Sequence, residues 1–158
     1  MNTRILSKNN TFVFIKAYKE KWQLKNAIEI INENGISKSD LSVLLKISNQ
    51  KKFDKKEMIS FVEYLIGTNT AIGTFTNPEI GTILIGGSLT SLFLHKIQEK
   101  SLAEMTTGPY GILRGLGAPE KNTALYLKLL NDGYFLLIAR GFENEFISVE
   151  NLLLKLDN

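Results

Sequence analysis

Apolar positions in Thr11 to Tyr18, TFVFIKAY, fall on both sides of an extended segment, with Phe12, Phe14 and Tyr18 on one face and Val13, Ile15 and Ala17 on the other. The density of aromatic and β-branched residues predicts a strand, and two apolar faces predict a central strand covered on both sides. The period then changes. Leu24, Ala27, Ile28 and Ile31 recur at helical spacing, and Asn34-Gly35 supplies the left-handed stop that ends many helices. After the polar turn Ser37-Lys38-Ser39-Asp40, Leu41, Val43, Leu45 and Ile47 alternate with Ser42, Leu44, Lys46 and Ser48, which predicts a second strand. Residues 11–48 therefore read as a first β-α-β half.

Residues 117–157 read as a second half of α-β-α form. Gly117-Ala118-Pro119-Glu120 opens a helix, with proline near the first turn and an acid near the positive end. Ala124, Leu127 and Leu130 give that helix a stripe, and Gly133 closes it. Tyr134 to Ala139, YFLLIA, is a continuously apolar strand. Phe142-Glu143-Asn144-Glu145 reads as a turn, with Ser148 as the cap of a final helix carrying Val149, Leu152, Leu153 and Leu156. This order of elements predicts an α+β fold, a ferredoxin-like sandwich.

Between the halves, residues 58–107 form an insert. Met58 to Ile66 has helical spacing. Ala71 to Phe93, AIGTFTNPEIGTILIGGSLTSLF, is apolar and punctuated by Gly73, Gly81, Gly86 and Gly87. With Asn77-Pro78-Glu79 as the turn and Ile80 to Leu94 as the second arm, the insert predicts a glycine-lined helical hairpin, whose bare patches admit a close-packed neighbour. His95 to Thr107 reads as a charged, helix-like continuation. The apolar run Ile80 to Leu94 covers 15 residues, short of the roughly 20 that span a bilayer. Together with Glu63 and Glu79, this favours burial in the domain or an oligomer interface over insertion in lipid.

Composition narrows the classes further. A chain of 158 residues is one domain's worth and can bury a core without metals or disulfides. It has no cysteine, which excludes disulfides, thiolate nucleophiles and Cys-ligated zinc. The net charge is only +3, and much of the excess falls on Lys46, Lys51, Lys52, Lys55 and Lys56, a stretch without arginine or interleaved aromatics. That pattern argues against nucleic acid and leaves an anionic membrane surface as the alternative partner for the run. MNTRILSKNN lacks the apolar core of a secretory signal, so a cytoplasmic protein is expected.

No constellation of catalytic residues emerges. His95 is the single histidine, with no cysteine to share a metal and no GxSxG elbow to present a serine. Glu143 and Glu145 sit in a polar turn where water holds carboxylates near their usual behaviour. Gly81 to Ser88, GTILIGGS, lacks the lysine of a phosphate loop. Gly115 and Gly117, ahead of Glu120, offer backbone amides at a helix start and make a weak candidate anion site. Phe12 and Phe14 resemble the stacking aromatics of RNA-binding sheets, but without basic neighbours they read as packing residues. Neither a cofactor nor a catalytic or metal site is expected, and no particular small-molecule ligand is indicated.

Taken together, GISKSDLSVLL, the glycine-bearing insert, and GLGAPEKNTALYLKLLNDGYFLLIARG resemble the bacterial general stress protein 17M-like family over nearly the whole chain. Gly117, Pro119, Glu120, Ala124, Tyr126 and Gly133 carry the most specific part of the resemblance. It implies a stress-associated bacterial protein with no catalytic residues to transfer. The expectation is a non-enzymatic homo-oligomer whose interface uses Phe12, Phe14, Gly73, Gly81, Gly86 and Gly87. A peripheral membrane protein and a small-ligand-binding regulatory domain are the alternatives.

Overall fold

Strand pairing organises the chain, which the computed structural model describes over residues 2–6, 11–47 and 54–157. The strands are β1 (Asn2–Leu6), β2 (Thr11–Tyr18), β3 (Leu41–Lys46), β4 (Ile72–Asn77), β5 (Gly81–Gly87), β6 (Lys96–Ile97), β7 (Lys100–Ser101) and β8 (Phe135–Phe142). The short β6 and β7 pair with each other, and the other six form one sheet in the order β1-β2-β8-β3-β5-β4. Every neighbouring pair is antiparallel. The last strand thus enters between β2 and β3, where Ala139 is flanked by Phe14 and Leu41.

The helices are α1 (Lys21–Glu33), α2 (Lys55–Ile66), α3 (Thr90–Phe93), α4 (Gly108–Gly115), α5 (Glu120–Asn131) and α6 (Glu143–Leu154). Because side chains alternate across a strand, one register supplies two cores. Phe14, Val43, Leu45, Leu84 and Leu137 pack with α1, α2 and α6. Ile15, Leu44, Ile83, Ile85, Leu136 and Ile138 pack with α3, α4 and α5. The fold is α+β with three layers, helices lying on both faces of the sheet.

The first half forms as its pattern predicts. In α1, Leu24, Ala27, Ile28 and Ile31 are buried, Gln23 Oε1 accepts from the Glu20 amide at 3.0 Å to start the helix, and Asn34 follows its last residue. In α2, Asp54 Oδ1 accepts from the Lys56 amide at 3.3 Å, while Met58, Val62, Leu65 and Ile66 face inward. Of the lysine run, Lys51 and Lys52 lie outside the described residues, as does Ser48. Lys46 donates to Asn131 Oδ1 at 2.6 Å.

The insert corrects the expectation. The first arm, Met58 to Ile66, is helical as expected within α2, but the glycine-bearing segment forms strands β4 and β5, and of Ile80 to Leu94 only Thr90 to Phe93 is α-helical. Asn77-Pro78-Glu79 does mark the turn, but Thr74, Thr76, Thr82, Ile83 and Ile85 are β-branched, and Phe75, Ile83 and Ile85 are buried against the second helical layer. His95 to Thr107 holds the β6–β7 ladder and a 3-10 turn at Leu102–Glu104 instead of a continuous helix. The sheet face turned away from α1, α2 and α6 is covered by α3, α4 and α5, as strands apolar on both sides require.

Near the C-terminus, β8 runs through Phe142 directly into α6, so the expected turn at Phe142-Glu143-Asn144-Glu145 is absent and Ser148 lies inside the helix. The side chains of Glu143, Glu145 and Ser148 lie outside those described. Helix α5 is rotated from its predicted stripe, with Thr123, Tyr126 and Leu130 buried and Ala124 exposed. Tyr126 takes that inner position because its hydroxyl donates to the Ile15 carbonyl at 3.0 Å.

Candidate functional site

The glycines of the insert are occupied by the chain itself. A Cβ on Gly73 would collide with the Leu94 side chain, and one on Gly86 would come within 2.6 Å of Val62 Cγ1 from α2. Gly87 has φ of 119°, and its Cα face meets the Leu41 carbonyl, so a side chain there would clash with backbone. Gly81 sits at the hairpin turn with Lys46 Cε 3.2 Å from where its Cβ would stand. Phe14 is buried and stacks on Phe146 at 6.2 Å between centroids. The side chain of Phe12 lies outside those described. Phe14, Gly73 and Gly86 thus meet helical segments while Gly81 and Gly87 meet β3, and these five do not form one shared surface.

The candidate anion residues also separate. Gly115 ends α4, Gly117 forms a turn, and Glu120 is the first residue of α5, where its own negative charge meets the helix dipole. Arg114, the cation of this turn, donates to the Ala118 carbonyl at 3.0 Å. His95 is exposed, with its carbonyl accepting from the Leu102 amide at 2.9 Å. Among the described residues no three His, Cys, Asp or Glu side chains gather as a metal group would require.

What the structure does assemble is an apolar groove of about 540 Å³ along α4. Leu92 from α3, Leu102 and Met105 from the 3-10 segment, and Ile112 and Leu116 form its walls. Gly108, Gly111 and Gly115 share the helix face that floors it. The floor is built in two ways. Gly108 is fixed by close approach, because a Cβ there would strike the Leu102 carbonyl. Gly111 and Gly115 have nothing within 4 Å of an added Cβ, so their bareness serves no contact inside the domain. Leu92 is 40% exposed beside this floor and Ile97, on the adjoining hairpin, is 49% exposed.

The segments bordering the groove carry both signs of charge, with Lys96, Lys100 and Arg114 against Glu99 and Glu104. No acid or base lines the groove itself. It is a surface for apolar contact, with Thr107 the one polar side chain among its lining residues. Of these residues Gly115 alone stands out from the sequence. The spacing Gly108, Gly111 and Gly115 in GPYGILRG was the available signal, since it places all three on one side of a helix. Comparison with protein families, curated proteins and solved structures finds no match to this chain.

Proposed function

We propose that this chain is a non-enzymatic module that works by self-association, with the α4 groove at the centre of a two-fold contact. The observation that carries this reading is the pairing of an unoccupied glycine floor at Gly111 and Gly115 with a protruding Leu92 on the same surface. An isologous contact presents one patch to itself, so it needs both a knob and a hole. The mixed charges of the bordering segments fit that geometry, because Glu99 and Glu104 of each copy can face cations of the other. They fit an anionic lipid surface less well. The buried Ile83, Leu84 and Ile85 of the insert support the same preference, since reaching lipid would remove them from the core. No helix among the described residues is long and apolar enough to cross a membrane.

The kinship this reading assumes is that of the stress-protein resemblance, with a ferredoxin-like pair of interlocked β-α-β units to which a second helical layer has been added. Light scattering with sedimentation tests the proposal. The expected result is a dimer for the wild-type chain and a monomer for Gly111→Arg, whose side chain would fill the floor. Gly111→Ala separates fold from assembly, because alanine in a helix stabilises by about 0.5–1 kcal/mol relative to glycine and should leave the monomer intact. A wild-type monomer at high concentration, or a dimer unaffected by Gly111→Arg, would sink the reading.

A further inference from the structure

A second cavity, of about 550 Å³, opens where three separate loops meet: Lys38 and Ser39 after α1, residues 66–71 after α2, and Gly87, Ser88 and Ser91 after β5. Its size falls within the roughly 300–1,000 Å³ of small-molecule sites. It shares no lining residue with the α4 groove and stands whether or not the chain self-associates.

The loop is held open by its anchors. Gly67, with φ of 109°, ends α2 and donates to the Glu63 carbonyl at 2.8 Å. Thr70 Oγ1 returns to the Ile66 carbonyl at 3.0 Å. At the far end, the Ala71 carbonyl accepts from the Gly87 amide at 2.9 Å and from Thr90 Oγ1 at 3.1 Å. Pinned at both ends, the loop leaves the backbone amides of Thr68 and Asn69 without a protein acceptor among the described residues. The Ser91 hydroxyl and the Thr68 side chain likewise have no protein partner there.

Charge gives the cavity its preference. Lys38 lines it and no carboxylate does. The cleft beside Trp22 differs, because Lys19 and Lys21 there are offset by Glu20 and Asp132. Successive free amides, hydroxyls and a lysine are the groups that replace water around a phosphate.

We propose that this pocket binds a phosphate group, either the free ion or a phosphomonoester on a small organic molecule. The amides of Thr68 and Asn69 would donate to the terminal phosphate oxygens, Lys38 would supply the countercharge, and Ser91 would add a hydroxyl donor. Titration of the full chain with ribose 5-phosphate, inorganic phosphate and ribose, followed by amide chemical shifts, tests it. Both phosphate compounds are expected to shift Thr68 and Asn69 at concentrations about tenfold or more below any effect of ribose, as charge-assisted hydrogen bonds require. Tighter binding of ribose 5-phosphate assigns the organic source, and tighter binding of inorganic phosphate assigns the free ion. Lys38→Gln, at an exposed position, should weaken both about fivefold or more while leaving the spectrum folded, and Lys121→Gln, on the exposed side of α5, should change neither. Equal shifts from ribose, shifts scattered over surface lysines, or unchanged binding in Lys38→Gln would overturn the proposal.

Discussion

On the face covered by α1, α2 and α6, helices of 13, 12 and 12 residues lay continuous apolar stripes across the strands. The opposite face is closed by helices of 4, 8 and 12 residues joined through turns, and it is pinned at single buried polar groups. Asn77 holds the Ala103 and Met105 carbonyls through Nδ2 and accepts the Glu79 and Ile80 amides on Oδ1. Ser42 Oγ accepts from the Leu89 amide at 2.9 Å, and Tyr126 reaches the Ile15 carbonyl. The first face has one prominent polar exception, Lys16, which is buried with its ammonium 5.3 Å from the Tyr18 ring centroid. Hydrophobic burial is non-directional and suffices where long stripes exist. Irregular segments lack a stripe, and directional hydrogen bonds then fix them in place. Both candidate binding surfaces use elements of this second, pinned layer.

The largest expected effect lies on the first face. Phe14→Ala removes a fully buried ring stacked on Phe146 and should destabilise by about 3–5 kcal/mol. Because that core ties β2 to three helices, hydrogen exchange should accelerate throughout the sheet, measured beside denaturant unfolding. Retention of wild-type stability would mean that the stripe is not what seals this face.

Asn77→Ala should act more locally. It leaves buried amides and carbonyls without partners, each worth about 1–3 kcal/mol if unhydrated, and partial rehydration brings the expected loss to about 2–3 kcal/mol. Exchange should rise first at residues 78–80 and 103–105, while β2 and β8 keep their protection. A uniform loss across the molecule would erase the distinction between a pinned face and a sealed one.

How much of this was legible follows from the same contrast. Leu24, Ala27, Ile28 and Ile31 announced α1 because helical period and burial coincide, and TFVFIKAY announced a two-sided strand for the parallel reason. The insert misled because glycines in an apolar run suit a packed helix as well as a close-packed strand. The β-branched Thr74, Thr76, Thr82, Ile83 and Ile85 were the better guide. Asn77 gave no periodic signal beyond its turn, since its carbonyl partners lie more than 25 residues away. The α4 groove was half legible, with Gly115 noted but its alignment with Gly108 and Gly111 depending on a helix that proline at its start and three glycines obscured. The loop pocket draws on residues 38–39, 66–71, 87–88 and 91, and only the sheet brings them together.

The smallest effect concerns the outer surface of the stripe-covered face, where α1 and α2 touch through Lys25 and Tyr64. The Tyr64 hydroxyl, by hydrogen bonding first and by its charge when ionised, raises Lys25 above the ordinary 10.5, with Glu29 adding to it. The direction fixes the pH window. A lysine whose pKa is raised on folding lends stability in full below its unfolded value and loses it as pH rises through the folded one. Below about pH 10, therefore, whatever stability Tyr64→Phe removes through Lys25 is missing in full, and the two proteins should converge as pH rises through the folded value. Titration of the Lys25 side chain by NMR should show its midpoint falling toward the ordinary value in Tyr64→Phe. The ammonium is exposed and screened, so the loss at pH 7 should be small; if it persisted undiminished above the Lys25 midpoint, the contact between α1 and α2 would have to hold through Tyr64 itself, and the sealing of this face by buried stripes alone would need revision.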